Sequence, residues 1–87
     1  MKTFKYTITD EVGIHARPAG QLVKEAGKYK AMITLKNLEN EKTAEAKKLF
    51  GVMGLAVKCG DEVEFTIDGE DEDEAYEGMK RFVEENL

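Results

Sequence analysis

The run Gly13-Ile14-His15-Ala16-Arg17-Pro18-Ala19 holds the only histidine of the chain and, two residues on, an arginine. Imidazole is the side chain best suited to carrying a proton or a group near neutral pH. Pro18 has the φ of a first helical turn, and its missing N–H costs nothing there. His15 is therefore expected where a loop enters a helix, beside backbone N–H groups that lack an intrahelical partner. That end of a helix is partially positive and holds anions such as phosphate. Arg17 adds a permanent charge whose donor fork matches phosphate oxygens. Both features disfavour the imidazolium and leave a neutral ring with a free lone pair. Such a ring, backed by fixed positive donors, can accept a phosphoryl group and hold it without burying it. A lone histidine is more often solvated or structural, and a polar residue before a helix can be only a cap. The motif shifts those odds without deciding them alone.

Several elements must position this run. Phe4, Tyr6 and Ile8 alternate with Lys5, Thr7 and Thr9, the period of a half-buried strand. Ala19, Leu22, Val23 and Ala26 fall on one helical face, and Gly27 is placed to end that helix in the left-handed conformation. Ala31, Ile33 and Leu35 form a second strand, Asn37–Glu41 a hairpin connection, and Thr43–Ala46 a short third strand. Leu49, Phe50, Val52, Met53 and Leu55, interrupted by Gly51 and Gly54, suggest a short helix facing partly outward. Val63, Phe65 and Ile67 mark a fourth strand. Asp71 with Glu74 reads as a capping box before a last helix that buries Ala75, Met79, Phe82 and Val83. The order is βαββαβα in the α+β class. It predicts an open-faced sandwich, with a four-stranded antiparallel sheet covered by three helices on one face.

Composition narrows the chemistry. The 87 residues predict a single domain, 1–87, and 41% hydrophobic with 36% charged residues is a globular balance. No serine is present, which excludes a serine nucleophile. One cysteine and one histidine can form neither an internal disulfide nor a structural zinc site, so no metal and no cofactor is expected. Residues 1–60 hold eleven Lys/Arg and six Asp/Glu, whereas residues 61–87 hold two and twelve. The net charge of −5 thus belongs to the last third, and no concentrated basic face suggests nucleic acid. No apolar stretch approaches the ~18 residues of a membrane span, and no leader is apparent, which predicts a cytoplasmic protein with no membrane insertion. Cys59, beside Gly60 in a turn, reads as a passive thiol, and the acidic run Glu70–Glu74 lacks the spacing of a calcium loop.

The Gly13–Ala19 motif resembles the active-site motif of HPr, the histidine-containing phosphocarrier family of the phosphoenolpyruvate:sugar phosphotransferase system. Lys28-Tyr29, Gly51-Val52-Met53 and Gly69-Glu70-Asp71-Glu72 also resemble family positions, so the likeness covers essentially the whole chain. The resemblance implies a stoichiometric carrier, not a catalyst in its own right. His15 would accept phosphate from enzyme I on Nδ1 and pass it to an enzyme II A domain. Arg17 would be its charge partner, and Ala16 and Arg17 would supply helix-start amides. Leu49, Phe50 and Met53 would form an exposed apolar patch docking both partners, with Val52 and at least one of Leu49 and Met53 in the core. The resemblance further implies a monomer.

Three departures stand out. Many Gram-positive members carry a kinase-regulated serine where this chain has Lys48, which can neither take that phosphate nor cap a helix well. The Asn37–Glu41 turn carries an apparent two-residue insertion, and Gly54 replaces a frequent hydroxyl residue. These leave room for a regulatory module of the same fold that docks partners without general sugar-carrier duty. A third reading, a phosphotransferase or phosphatase with His15 as nucleophile, lacks an evident general acid or metal ligand set.

Overall fold

The alternating and helical periodicities resolve into β1 (Lys2–Thr7), α1 (Ala16–Ala26), β2 (Met32–Asn37), β3 (Lys42–Glu45), α2 (Leu49–Met53), β4 (Glu62–Asp68) and α3 (Glu72–Asn86) in a computed structural model. The structure describes residues 1–11, 13, 14 and 16–87. The expectation placed on His15 therefore lies outside the described residues.

The strands form one sheet in the order β1-β4-β2-β3, every neighbouring pair antiparallel. Period-two alternation makes this sheet two-faced. In β4, Val63, Phe65 and Ile67 are buried, while Glu62, Glu64 and Thr66 between them are half-exposed. Register carries the apolar set across all four strands. Phe4 lies opposite Phe65, Phe65 opposite Leu35, and Leu35 opposite Ala44. The Phe4 and Phe65 rings stack with centroids 4.8 Å apart. The next row, Thr3, Thr66, Thr34 and Glu45, faces the other way and is polar.

Three helices cover the apolar face, as the order of elements predicted. Ala19, Leu22 and Ala26 of α1, Val52 of α2, and Ala75, Met79 and Val83 of α3 are all fully buried in one core with Ile33, Leu35, Phe65 and Ile67. Each large aliphatic side chain removed from water this way contributes about 1.5–3 kcal/mol. Phe82 is half-buried and packs at the margin of that core rather than within it.

Two local expectations differ from the structure. Gly27 is not left-handed. After the bond from Gly27 N to the Val23 carbonyl, α1 ends by tightening: Lys28 N donates to the Glu25 carbonyl and Tyr29 N to the Ala26 carbonyl. Such i→i−3 bonds occupy terminal carbonyls without a glycine conformation. Asp71 does not cap α3 through its side chain. Its carboxylate instead accepts the Lys30 and Ala31 amides, both at 2.8 Å, which clasps the start of α3 to the approach to β2. Those amide donors hold the Asp71 carboxyl below its ordinary value.

Candidate functional site

The loop that carries the motif is held from both sides. Ile8 is buried, and its N–H donates to the Asp61 carbonyl at 3.0 Å while its carbonyl accepts Gly60 N at 2.8 Å. Next, Thr9 N and Asp10 N both donate to the Leu87 carbonyl, at 2.7 and 2.8 Å, and Thr9 Oγ1 adds a third bond at 3.0 Å. The residue that closes α3 thus fixes the start of the loop. Gly13 N donates to the Asp10 carbonyl, and Ile14 N to the Val57 carbonyl at 3.2 Å. Gly13 has a φ of 77° and lies so close to the Val57 carbonyl and Lys58 backbone that a Cβ would collide with both. Only glycine meets both demands. Ile14 is buried at 7% exposure.

On the far side of His15, α1 begins at Ala16, as the Pro18 position predicted. Ala16 and Arg17 are exposed, while Pro18 and Ala19 turn into the core. The alternation of exposed and buried residues here follows from the 3.6-residue period. Belonging to the first turn, the N–H groups of Ala16 and Arg17 have no intrahelical acceptor. Arg17 lines a shallow groove with Asp10, Pro18, Gln21, Glu85 and Asn86. The arrangement offers an anion a helix start and an exposed arginine.

The apolar cluster divides as its length requires. Val52 is fully buried, but Leu49 and Met53 stand 36% and 39% exposed, and Phe50 86% exposed. The core thus takes Val52 but neither Leu49 nor Met53; Leu55, just beyond α2, is buried in their place. Five helical residues present little more than one turn, so a single side chain points inward. α2 packs against both α1 and β3, so its exposed side chains stand on an element that adjoins α1. Lys48 occupies the N-cap with no side-chain hydrogen bond to the helix. Its ammonium lies 3.9 Å from Glu45.

Several contributors to the loop had not been anticipated: the carbonyls of Val57 and Leu87, and the carboxamides of Asn37 and Asn40, both of which donate to the Leu55 carbonyl. Backbone acceptors leave no mark in residue identity. Asn37 did carry a signal, as an amide in the inward phase of Ile33, Leu35 and Asn37. Among the described residues, no group of three or more His, Cys, Asp or Glu could hold a metal, and no helix is long and apolar enough to cross a membrane.

Comparison with known proteins agrees with this geometry. The family model for the PTS HPr component phosphorylation site matches residues 2–85. The phosphocarrier protein HPr of Lysinibacillus sphaericus is 44% identical over 85 residues, 98% of this chain and 94% of that protein. HPr of Thermoanaerobacter tengcongensis superposes with a TM-score of 0.91 at 32% identity, covering 99% of this chain and 94% of the other. Crh of Bacillus subtilis, a catabolite-repression protein described as a swapped dimer, superposes at 0.76 with 36% identity over 100% and 98% of the two chains. Relatives of this fold therefore include a dimer, and a monomeric state does not follow from the fold. Matched over nearly its full length in both sequence and architecture, the chain belongs to the HPr family of phosphocarrier proteins of the phosphotransferase system.

Proposed function

We propose that the chain is a phosphoryl carrier that takes phosphate from phosphorylated enzyme I on His15 and delivers it to an enzyme II A domain. The observation that carries this reading is the start of α1, where Ala16 and Arg17 are exposed, reached from a loop fastened at Thr9, Asp10 and Ile14. In the transfer, the Nδ1 lone pair of His15 attacks phosphorus. The bond from phosphorus to the donor breaks, and its electron pair stays on the donor. The second transfer reverses these roles, with His15 as leaving group. The Arg17 guanidinium and the amides of Ala16 and Arg17 stabilise the charge on the phosphoryl oxygens in both directions. The partners complete the catalytic constellation, so the chain acts stoichiometrically, as a single unit of residues 1–87 in the cytoplasm. Leu49, Phe50 and Met53 supply the docking surface, since exposed apolar patches mark partner sites.

A second reading, a regulatory module that docks partners without serving as a general sugar carrier, draws on the likeness to Crh and on Lys48 at the α2 N-cap. One experiment separates the two. The chain is mixed with enzyme I and phosphoenolpyruvate, and an acid-labile phosphate on His15 is sought and then followed to an enzyme II A domain. Label that moves onward supports the carrier. Label that stays favours the regulatory module, and no label on His15 ends the carrier reading. His15→Ala abolishes acceptance.

A further inference from the structure

The turn between β2 and β3 reaches across the fold to the segment that holds the motif loop. Asn37 closes β2, continues its inward-facing series and is fully buried. Its Nδ2 donates to the Leu55 carbonyl at 3.0 Å, and its Oδ1 accepts Glu39 N at 3.0 Å. Asn40 repeats the pattern: Nδ2 donates to the same carbonyl at 3.0 Å, and Oδ1 accepts Lys42 N at 3.0 Å. The Oδ1 bonds are those any asparagine turn makes. The Nδ2 bonds are not. They converge on one carbonyl 18 and 15 residues away, which the turn itself does not need, and together they fill both of its lone pairs.

From Leu55 the chain runs through Ala56, held in the left-handed region at φ 53°, to Val57, whose carbonyl receives Ile14 N. Ile14 directly precedes His15 in sequence. A single residue, Ala56, thus separates the gripped carbonyl from the one that holds the loop. We propose that Asn37 and Asn40 are positioning residues for phosphoryl transfer, setting the loop at His15 through Leu55, Ala56 and Val57. The claim rests on the reading of His15 as phosphoryl acceptor.

The test uses the full chain with Asn40→Ala and Asn40→Asp; the aspartate keeps the Oδ1 acceptor, loses the donor and adds a negative charge that the alanine lacks, so the effect common to both variants reports the lost donor. Asn37→Ala is a companion, but its burial puts its folding at risk, so the Asn40 pair decides. Both Asn40 variants should fold, as their circular dichroism would show. Acceptance of phosphate from phosphorylated enzyme I should lose roughly ten-fold in kcat at unchanged KM, because geometry near the reacting atom is disturbed while α2 is untouched. The His15 titration midpoint, followed by its ring-proton resonance, should move in both variants. Folded Asn40 variants with wild-type kcat and wild-type His15 titration would overturn the proposal, and so would a rise in KM alone, which would place the effect in docking. Should the wild-type chain take no phosphate on His15, the carrier reading fails separately. The titration then decides: a displaced midpoint upholds the coupling, and an unmoved one refutes it.

Discussion

Ala56 occupies a backbone region that costs an L-residue about 1–2 kcal/mol. It holds that conformation between two engaged carbonyls, those of Leu55 and Val57. Ala56→Gly removes the clash but adds chain entropy to the unfolded state, so stability should rise by about 0.5–1 kcal/mol. Urea unfolding at neutral pH measures this, and a loss of stability would mean that the alanine methyl contributes more than the strain costs. Arg17 is the opposite case, an exposed side chain. Arg17→Ala should leave the melting temperature unchanged while slowing phosphoryl transfer by roughly a hundred-fold, in line with the loss of one charged donor at a reacting oxyanion. Single-turnover transfer from phosphorylated enzyme I gives the rate; an unchanged rate would remove Arg17 from the mechanism. At this scale the chain was unevenly legible. The place of Arg17 in the first turn of α1 was visible because a helix start depends on residue type and spacing. Ala56 was not, because alanine favours no left-handed conformation and only tertiary bonds impose one.

Among the elements, the contact between the start of α3 and the approach to β2 was misread as a cap, although the residue involved was identified. Asp71 suits both roles by type, and the two amides at 2.8 Å decide for the tertiary one. Its carboxyl pKa is lowered chiefly by the Lys30 amide bond. A group with a depressed folded pKa adds stability that is present above its unfolded value and lost as pH falls through the folded one. Stability of the wild-type chain should therefore decline as pH drops below the ordinary carboxylate range of about 4. Asp71→Asn should weaken the chain at neutral pH, with the gap to wild type closing in acid. Urea titrations across that range would show parallel curves if Asp71 took no part. The strands were more legible than the helix ends. Alternation is a long-range pattern repeated over six or seven residues, whereas a helix terminus depends on one or two bonds that several residue types can make. β3 is short, and its alanine and glutamate have little strand preference. Its pairing with Leu35 and Thr34 of β2 draws the strand into the sheet.

Over the whole molecule, charge is unevenly spread, with acid reaching the candidate site where Asp10 and Glu85 share the groove that Arg17 lines. The acid of residues 61–87 gathers on β4 and along α3, while Arg17, Lys24, Lys47 and Lys48 lie on α1 or around α2. The architecture was legible from the order of elements because a two-faced sheet of this size can bury only one side under three helices. The loop's fastening was not, since it joins residues far apart in the chain: Thr9 to Leu87, Ile14 to Val57, and Asn37 to Leu55. The uncovered sheet face has a practical consequence. Its row Thr3, Thr66, Thr34 and Glu45 points away from the helices that bear Arg17, Phe50 and Met53. That face is a natural anchoring plane. A chain carrying Thr34→Cys in a Cys59→Ala background, biotinylated at position 34 and immobilised on a surface, should still load and unload phosphate at its free-solution rate. The same linkage through Phe50→Cys should silence it. Such a tethered carrier would let each half of the exchange be timed alone, by flowing first the donor and then the acceptor across it.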